Sequence, residues 1–139
     1  MKLRLAILWA SIALLAPQAH AQASPPPAQT ISASCRTPSA TGDGTVFNCA
    51  SEHGRLEAPS GFAFVQASLN GGLADSGGTK PDCEVEWTGY VPLSAGSDSK
   101  QPRVLTVRAR ANSQRGYGRR GPGWATCEYS VQLVPYAAR

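Results

Sequence analysis

From residue 30 onward apolar residues recur at every second position in short runs, separated by clusters of Gly, Pro, Ser, Asn and Asp, and no ten-residue window carries them at helical spacing. That alternation predicts β-strands with one buried face. Strands are expected over 30–36, 45–51, 62–69, 83–91, 103–111 and 124–134, with a short one at 55–57. Three of them divide cleanly into faces, because successive side chains of a strand point to opposite sides. Cys83, Val85 and Trp87 oppose Glu84, Glu86 and Thr88; Leu105, Val107, Ala109 and Ala111 oppose Thr106, Arg108 and Arg110. Cys127, Tyr129, Val131 and Leu133 oppose Thr126, Glu128, Ser130 and Gln132. Seven short strands in one domain over residues 30–139 predict an all-β fold, a small disulfide-stapled two-sheet β-sandwich of immunoglobulin-like architecture.

The pattern before residue 30 is different. Lys2 and Arg4 precede an apolar stretch, Leu5 to Leu15, and the segment ends in Ala19-His20-Ala21. A basic start, an apolar core too short to span a bilayer and small residues before the cut are the parts of a bacterial secretory signal peptide, expected over 1–21 with cleavage after Ala21. The expected location is periplasmic or secreted, not membrane-spanning. Residues 22–29, "QASPPPAQ", form a Pro-rich spacer, since three consecutive prolines cannot join a hydrogen-bonded ladder.

Export changes the reading of the cysteines. Cys35, Cys49, Cys83 and Cys127 are an even set in an oxidising compartment, and their spacings of 14, 34 and 44 lack the close pairs of a zinc site. Cys83 and Cys127 lie on apolar faces and are expected to join inside the core. Cys35 and Cys49 bracket a turn-rich segment suited to a hairpin, so 35–49 and 83–127 is the expected pairing, with no metal and no cofactor.

Candidate chemistry is sparse. Asp75-Ser76-Gly77-Gly78 resembles the nucleophile motif of trypsin-like serine proteases, and the resemblance covers those four residues alone. That mechanism requires a histidine base and an aspartate to orient it, whereas only His53 remains after export and its surroundings lack the family's Ala-Ala-His-Cys order. "NGGLADSGGTKPD" is expected to be a loop. Glu84 and Glu86 share one strand face without a cleft around them, and no phosphate loop or cofactor fingerprint occurs. The expectation is a protein that is not an enzyme.

Charge provides the strongest functional signal. Residues 37–98 carry a net charge of −6, whereas 99–124 hold seven bases and no acid. The centre is "RARANSQRGYGRRGPGW", residues 108–124. Arg-Gly runs around an aromatic resemble nucleic-acid-binding tails, but export argues against an intracellular nucleic acid as partner. Arg108 and Arg110 are expected to face Glu84 and Glu86 across neighbouring strands. Arg115, Tyr117, Arg119 and Arg120 fall in a hairpin loop, 112–124, that ends at Trp124, and together with Trp124, Arg108 and Arg110 they are the candidate binding residues. The expected function is an exported, non-enzymatic module that uses this loop to bind an anionic glycan, envelope phosphate or acidic protein surface. A hydrolase inhibitor or toxin-immunity protein is the alternative, and an envelope structural or assembly component is a second.

Overall fold

The computed structural model describes residues 26–51, 54–116 and 119–136, and only the backbone at 115, 116 and 119. The expected signal peptide, residues 22–25 of the spacer, His53 and Tyr117 lie outside the described residues. The described chain is all-β. In order the strands are β1 (Gln29–Arg36), β2 (Asn48–Ala50), β3 (Gly54–Glu57), β4 (Phe62–Phe64), β5 (Asn70–Gly77), β6 (Thr79–Thr88) and β7 (Val91–Pro92). There follow β8 (Lys100–Gln101), β9 (Val104–Asn112), β10 (Gln114–Gly116), β11 (Arg119–Gly121), β12 (Trp124–Val131) and β13 (Leu133–Pro135). No described helix is long and apolar enough to cross a membrane.

Two strands organise the rest. β12 is central to a sheet ordered β1-β12-β5, and β9 is central to a second, with β6 along one edge and β2 and β3 end to end along the other. Ser51 bridges the break between β2 and β3, where its amide donates to the Ala109 carbonyl (2.9 Å) and its hydroxyl accepts from the Ala109 amide (2.8 Å). All these pairings are antiparallel, as are the small ladders β4–β13, β7–β8 and β10–β11.

The alternation explains the core. Leu105, Val107, Ala109 and Ala111 of β9 are fully buried, and so are Ala125 and Cys127 of β12. Both disulfides cross from one sheet to the other, Cys35 in β1 to Cys49 in β2 and Cys83 in β6 to Cys127 in β12. The registers set Cys49 opposite Ala111, Cys83 opposite Ala109, Cys127 opposite Ala33 and Cys35 opposite Ala125. Each half-cystine thus has an alanine beside it. The bridges bring the backbones to Cα–Cα distances of 5.8 and 5.9 Å, inside the roughly 10 Å at which facing sheets normally pack. Only small side chains fit between sheets pinched that closely. Bulk returns toward the other end, where Phe64, Leu105, Val107, Val131 and Leu133 pack and the Phe64 and Trp87 rings meet at 6.1 Å.

The pairing expected from strand faces, 35–49 and 83–127, is the one observed, but Cys35 and Cys49 do not close a hairpin. β1 and β2 belong to different sheets. Several boundaries also differ. The 62–69 strand ends at Phe64, because the Ser68 hydroxyl and amide both donate to the Val65 carbonyl and wind Gln66–Ser68 into a 3-10 turn. The 124–134 strand breaks at Gln132, beyond which β13 leaves β12's sheet to pair with β4. The largest difference is residues 70–77, expected as loop and observed as β5, an edge strand along β12.

Candidate functional site

The arginine segment is a ribbon and not an open loop. Gln114 pairs with Gly121, Arg115 with Arg120 and Gly116 with Arg119. The backbone register therefore sets Arg115 directly opposite Arg120 across a two-stranded ladder.

The base of the ribbon is held on three sides. The Thr37 amide donates to the Gly123 carbonyl and the Gly123 amide to the Thr37 hydroxyl, both at 2.7 Å. Ser113, fully buried, donates its amide to the Phe47 carbonyl (2.8 Å) and accepts from the Phe47 amide with its hydroxyl (2.9 Å). Gly78, at the corner between β5 and β6, lies against the Asn112 carbonyl and the Gly123 backbone. Residues 37–47 thus run alongside the ribbon, and the Arg120 guanidinium rests against Gly42. In the same segment Asp43 accepts from the Thr41 hydroxyl and the Thr45 amide, which hold its carboxyl below the usual aspartate value.

Trp124 is tied into this end of the molecule. Its ring is half-buried over Gly77, its indole N–H donates to the Asp75 carboxylate (3.1 Å), and the Arg36 guanidinium lies 5.5 Å from its centroid. Arg36 is directly opposite Trp124 in the β1–β12 register, so strand pairing places this cation. Lys80, exposed and with φ of +50°, sits in the irregularity that interrupts β6 opposite Arg110 and Asn112. Arg36 and Lys80 join the pole by register alone, and no motif in the sequence marks them.

The other two arginines go elsewhere. Glu84 faces Arg108 across the β6–β9 ladder, and the Glu84 carboxylate meets Arg110 Nη1 at 2.7 Å, with both side chains nearly half exposed. With Asp82 opposite Arg110 as well, the outer face of β9 is balanced and leaves no excess positive charge beside the ribbon. Comparison with family models, curated proteins and solved structures finds no match.

Of the serine-protease-like motif, Ser76 stands on β5 opposite Ala125, and the Asp75 carboxylate is bound to the Trp124 indole. Among the described residues no group of three or more His, Cys, Asp or Glu could hold a metal ion.

Proposed function

We propose that this chain is an exported, non-enzymatic β-sandwich of immunoglobulin-like architecture, which binds an anionic partner in the periplasm or outside the cell through the β10–β11 ribbon. The observation that carries the reading is the direct cross-strand pairing of Arg115 with Arg120. Like charges placed opposite in a ladder cost stability, and a two-stranded ribbon has little to spare. An anion bound between the two guanidinium groups would offset that cost. Arg36, Arg119 and Lys80 add charge at the same end, and the buried ties at Thr37 and Ser113 hold the ribbon without requiring the partner to order it. Guanidinium pairs suit sulfate, phosphate or carboxylate on a glycan or envelope polymer.

Heparin serves as a sulfated-glycan probe. The full mature chain should bind it with an affinity that falls steeply as salt rises, because each neutralised anion releases counterions. Reversing Arg115, Arg119 and Arg120 to glutamate should abolish binding, while the same reversal at Arg108 and Arg110 should cost far less. Heparin binding that survives the triple reversal would move the site off the ribbon. A salt-insensitive, tight protein partner captured through the same arginines would instead favour the inhibitor reading.

A further inference from the structure

At the pole opposite the ribbon a shallow cleft opens. β6 runs from Thr79, opposite Asn112 at the ribbon end, to Thr88, opposite Val104 at the far end, and the chain then enters residues 90–100. There Tyr90, Pro92, Ser97, Asp98, Lys100 and Tyr136 line a shallow cavity of about 530 Å³.

The frame of this cleft is well held. Val91 pairs with Gln101 and Pro92 with Lys100; the Leu93 amide donates to the Ser99 carbonyl (3.1 Å), and the Ser99 amide to the Ser97 hydroxyl (3.1 Å). Tyr136 is anchored by its amide, which donates to the Gly61 carbonyl (3.0 Å), and its ring lies under the Arg103 guanidinium at 5.9 Å. Arg103 is itself fixed by donation to the Ala58 carbonyl (3.1 Å). Tyr90, by contrast, is 49% exposed, among the most exposed large apolar side chains of the described residues. Among those residues, neither Asp98 nor Lys100 has an ion-pair partner within 4 Å.

We propose that this cleft binds a neutral saccharide, with a sugar ring packed on Tyr90 and Tyr136 and its hydroxyls bonded to Asp98, Ser97 and Lys100. An aromatic face attracts the polarised C–H groups of a pyranose, while the hydroxyls, each both donor and acceptor, satisfy a carboxylate and an ammonium on one rim. The opposite charges of Asp98 and Lys100 cancel, and the Arg103 guanidinium is met by the Glu57 carboxylate at 3.8 Å, so this site lacks the field that draws an anion to the other pole. A run of consecutive prolines, the core of the other usual occupant of a tyrosine-lined groove, has no backbone N–H to offer Asp98 and so leaves that carboxylate unsatisfied. The proposal is independent of the ribbon's role.

The test is an amide-resolved NMR titration of the full mature chain with cellobiose, maltose and N,N′-diacetylchitobiose, and separately with the peptide Ser-Pro-Pro-Pro-Ala-Gln. At least one saccharide should shift the amides of Tyr90, Ser97, Asp98 and Lys100 at millimolar concentration. Tyr90→Ala should weaken that binding roughly tenfold, and Tyr90→Phe should retain it, because the ring and not the hydroxyl carries the contact. Asp98→Asn should weaken it less, and Arg120→Glu should leave it unchanged. Shifts with the peptide alone, or with no probe, would overturn the proposal. So would saccharide shifts that Tyr90→Ala leaves intact.

Discussion

At Gly78 the backbone takes φ of +83°, and a methyl added there would meet the Asn112 carbonyl at 2.3 Å and Gly123 Cα at 2.6 Å. Both contacts are with backbone, which cannot step aside. Gly78→Ala should therefore destabilise the fold by about 1–3 kcal/mol through strain at that single residue, measured by urea unfolding, and the clash should loosen the ribbon base first. At the neighbouring Gly77 a methyl would instead meet the Trp124 ring at 2.2 Å, and that ring could yield only by giving up its bond to Asp75. Asp43 offers a titration that reports on the segment beside the ribbon. The Thr41 hydroxyl, and after it the Thr45 amide, favour its charged form, so the carboxyl titrates below the ordinary value. Folding lowers this pKa, hence the contribution to loop order is present above the ordinary aspartate value and fades as pH falls through the lowered one. NMR titration should find that low midpoint, and Thr41→Ala should raise it.

At the scale of elements, the ribbon sets two requirements against each other. If Arg115 and Arg120 are paired for binding, then Arg115→Thr should stabilise the free protein by about 0.2–1 kcal/mol while weakening heparin binding. Thermal unfolding with and without heparin separates the two effects, and a loss in both would mean that Arg115 is structural. The β6–β9 ladder behaves conventionally: Glu84 and Arg110 are exposed enough that a double-mutant cycle should give about 0.2–1 kcal/mol. The neighbourhood of those strands was legible because both alternate strongly and carry opposite charges, but the register was not, since Glu86 falls opposite Thr106 and Asp82 takes the expected place of Glu86 opposite Arg110. β5 was not legible. Its sequence, Asn70–Gly77, has no apolar alternation to read, since an edge strand that buries little needs none. Gly71 shows what selected it, because a side chain there would strike the Glu128 carbonyl at 2.1 Å, so close approach to β12 and not burial explains the residue.

For the whole molecule the governing feature is the pinch between the sheets. Ala125 is completely buried beside Cys35, and Ala125→Leu should cost about 1–3 kcal/mol or more by forcing apart sheets that a bridge holds together. The two bridges should not contribute equally. They close loops of sequence separation 44 and 14, and chain entropy assigns about 4 kcal/mol to Cys83–Cys127 and about 3 to Cys35–Cys49. Paired alanine substitutions followed by urea unfolding would measure the order, and the larger loss should accompany Cys83 and Cys127. Both bridges lie toward the ribbon end of the sheets, with Cys49 opposite Ala111 and Cys83 opposite Ala109 on β9.

The sequence by itself determined the all-β character, the buried faces of the long strands and the segregation of charge, because each depends on residues close in the chain or on a two-residue period, whereas for the cysteines it favoured one pairing of three without fixing it. The tertiary structure decided which strands are neighbours. Pairing across a sheet is non-local, so no pattern within 29–36 reveals that Arg36 will meet Trp124, and none within 35–49 reveals that its bridge joins two sheets instead of closing a hairpin. The cleft of Tyr90 and Tyr136 is of the same kind, built from residues 46 positions apart that share an end only because β6 and β13 finish there. The ribbon lies between the two cases. Its charge was plain in the sequence, but the direct opposition of Arg115 and Arg120 required the register, and the register is set where Ser113 and Gly123 are tied to Phe47 and Thr37.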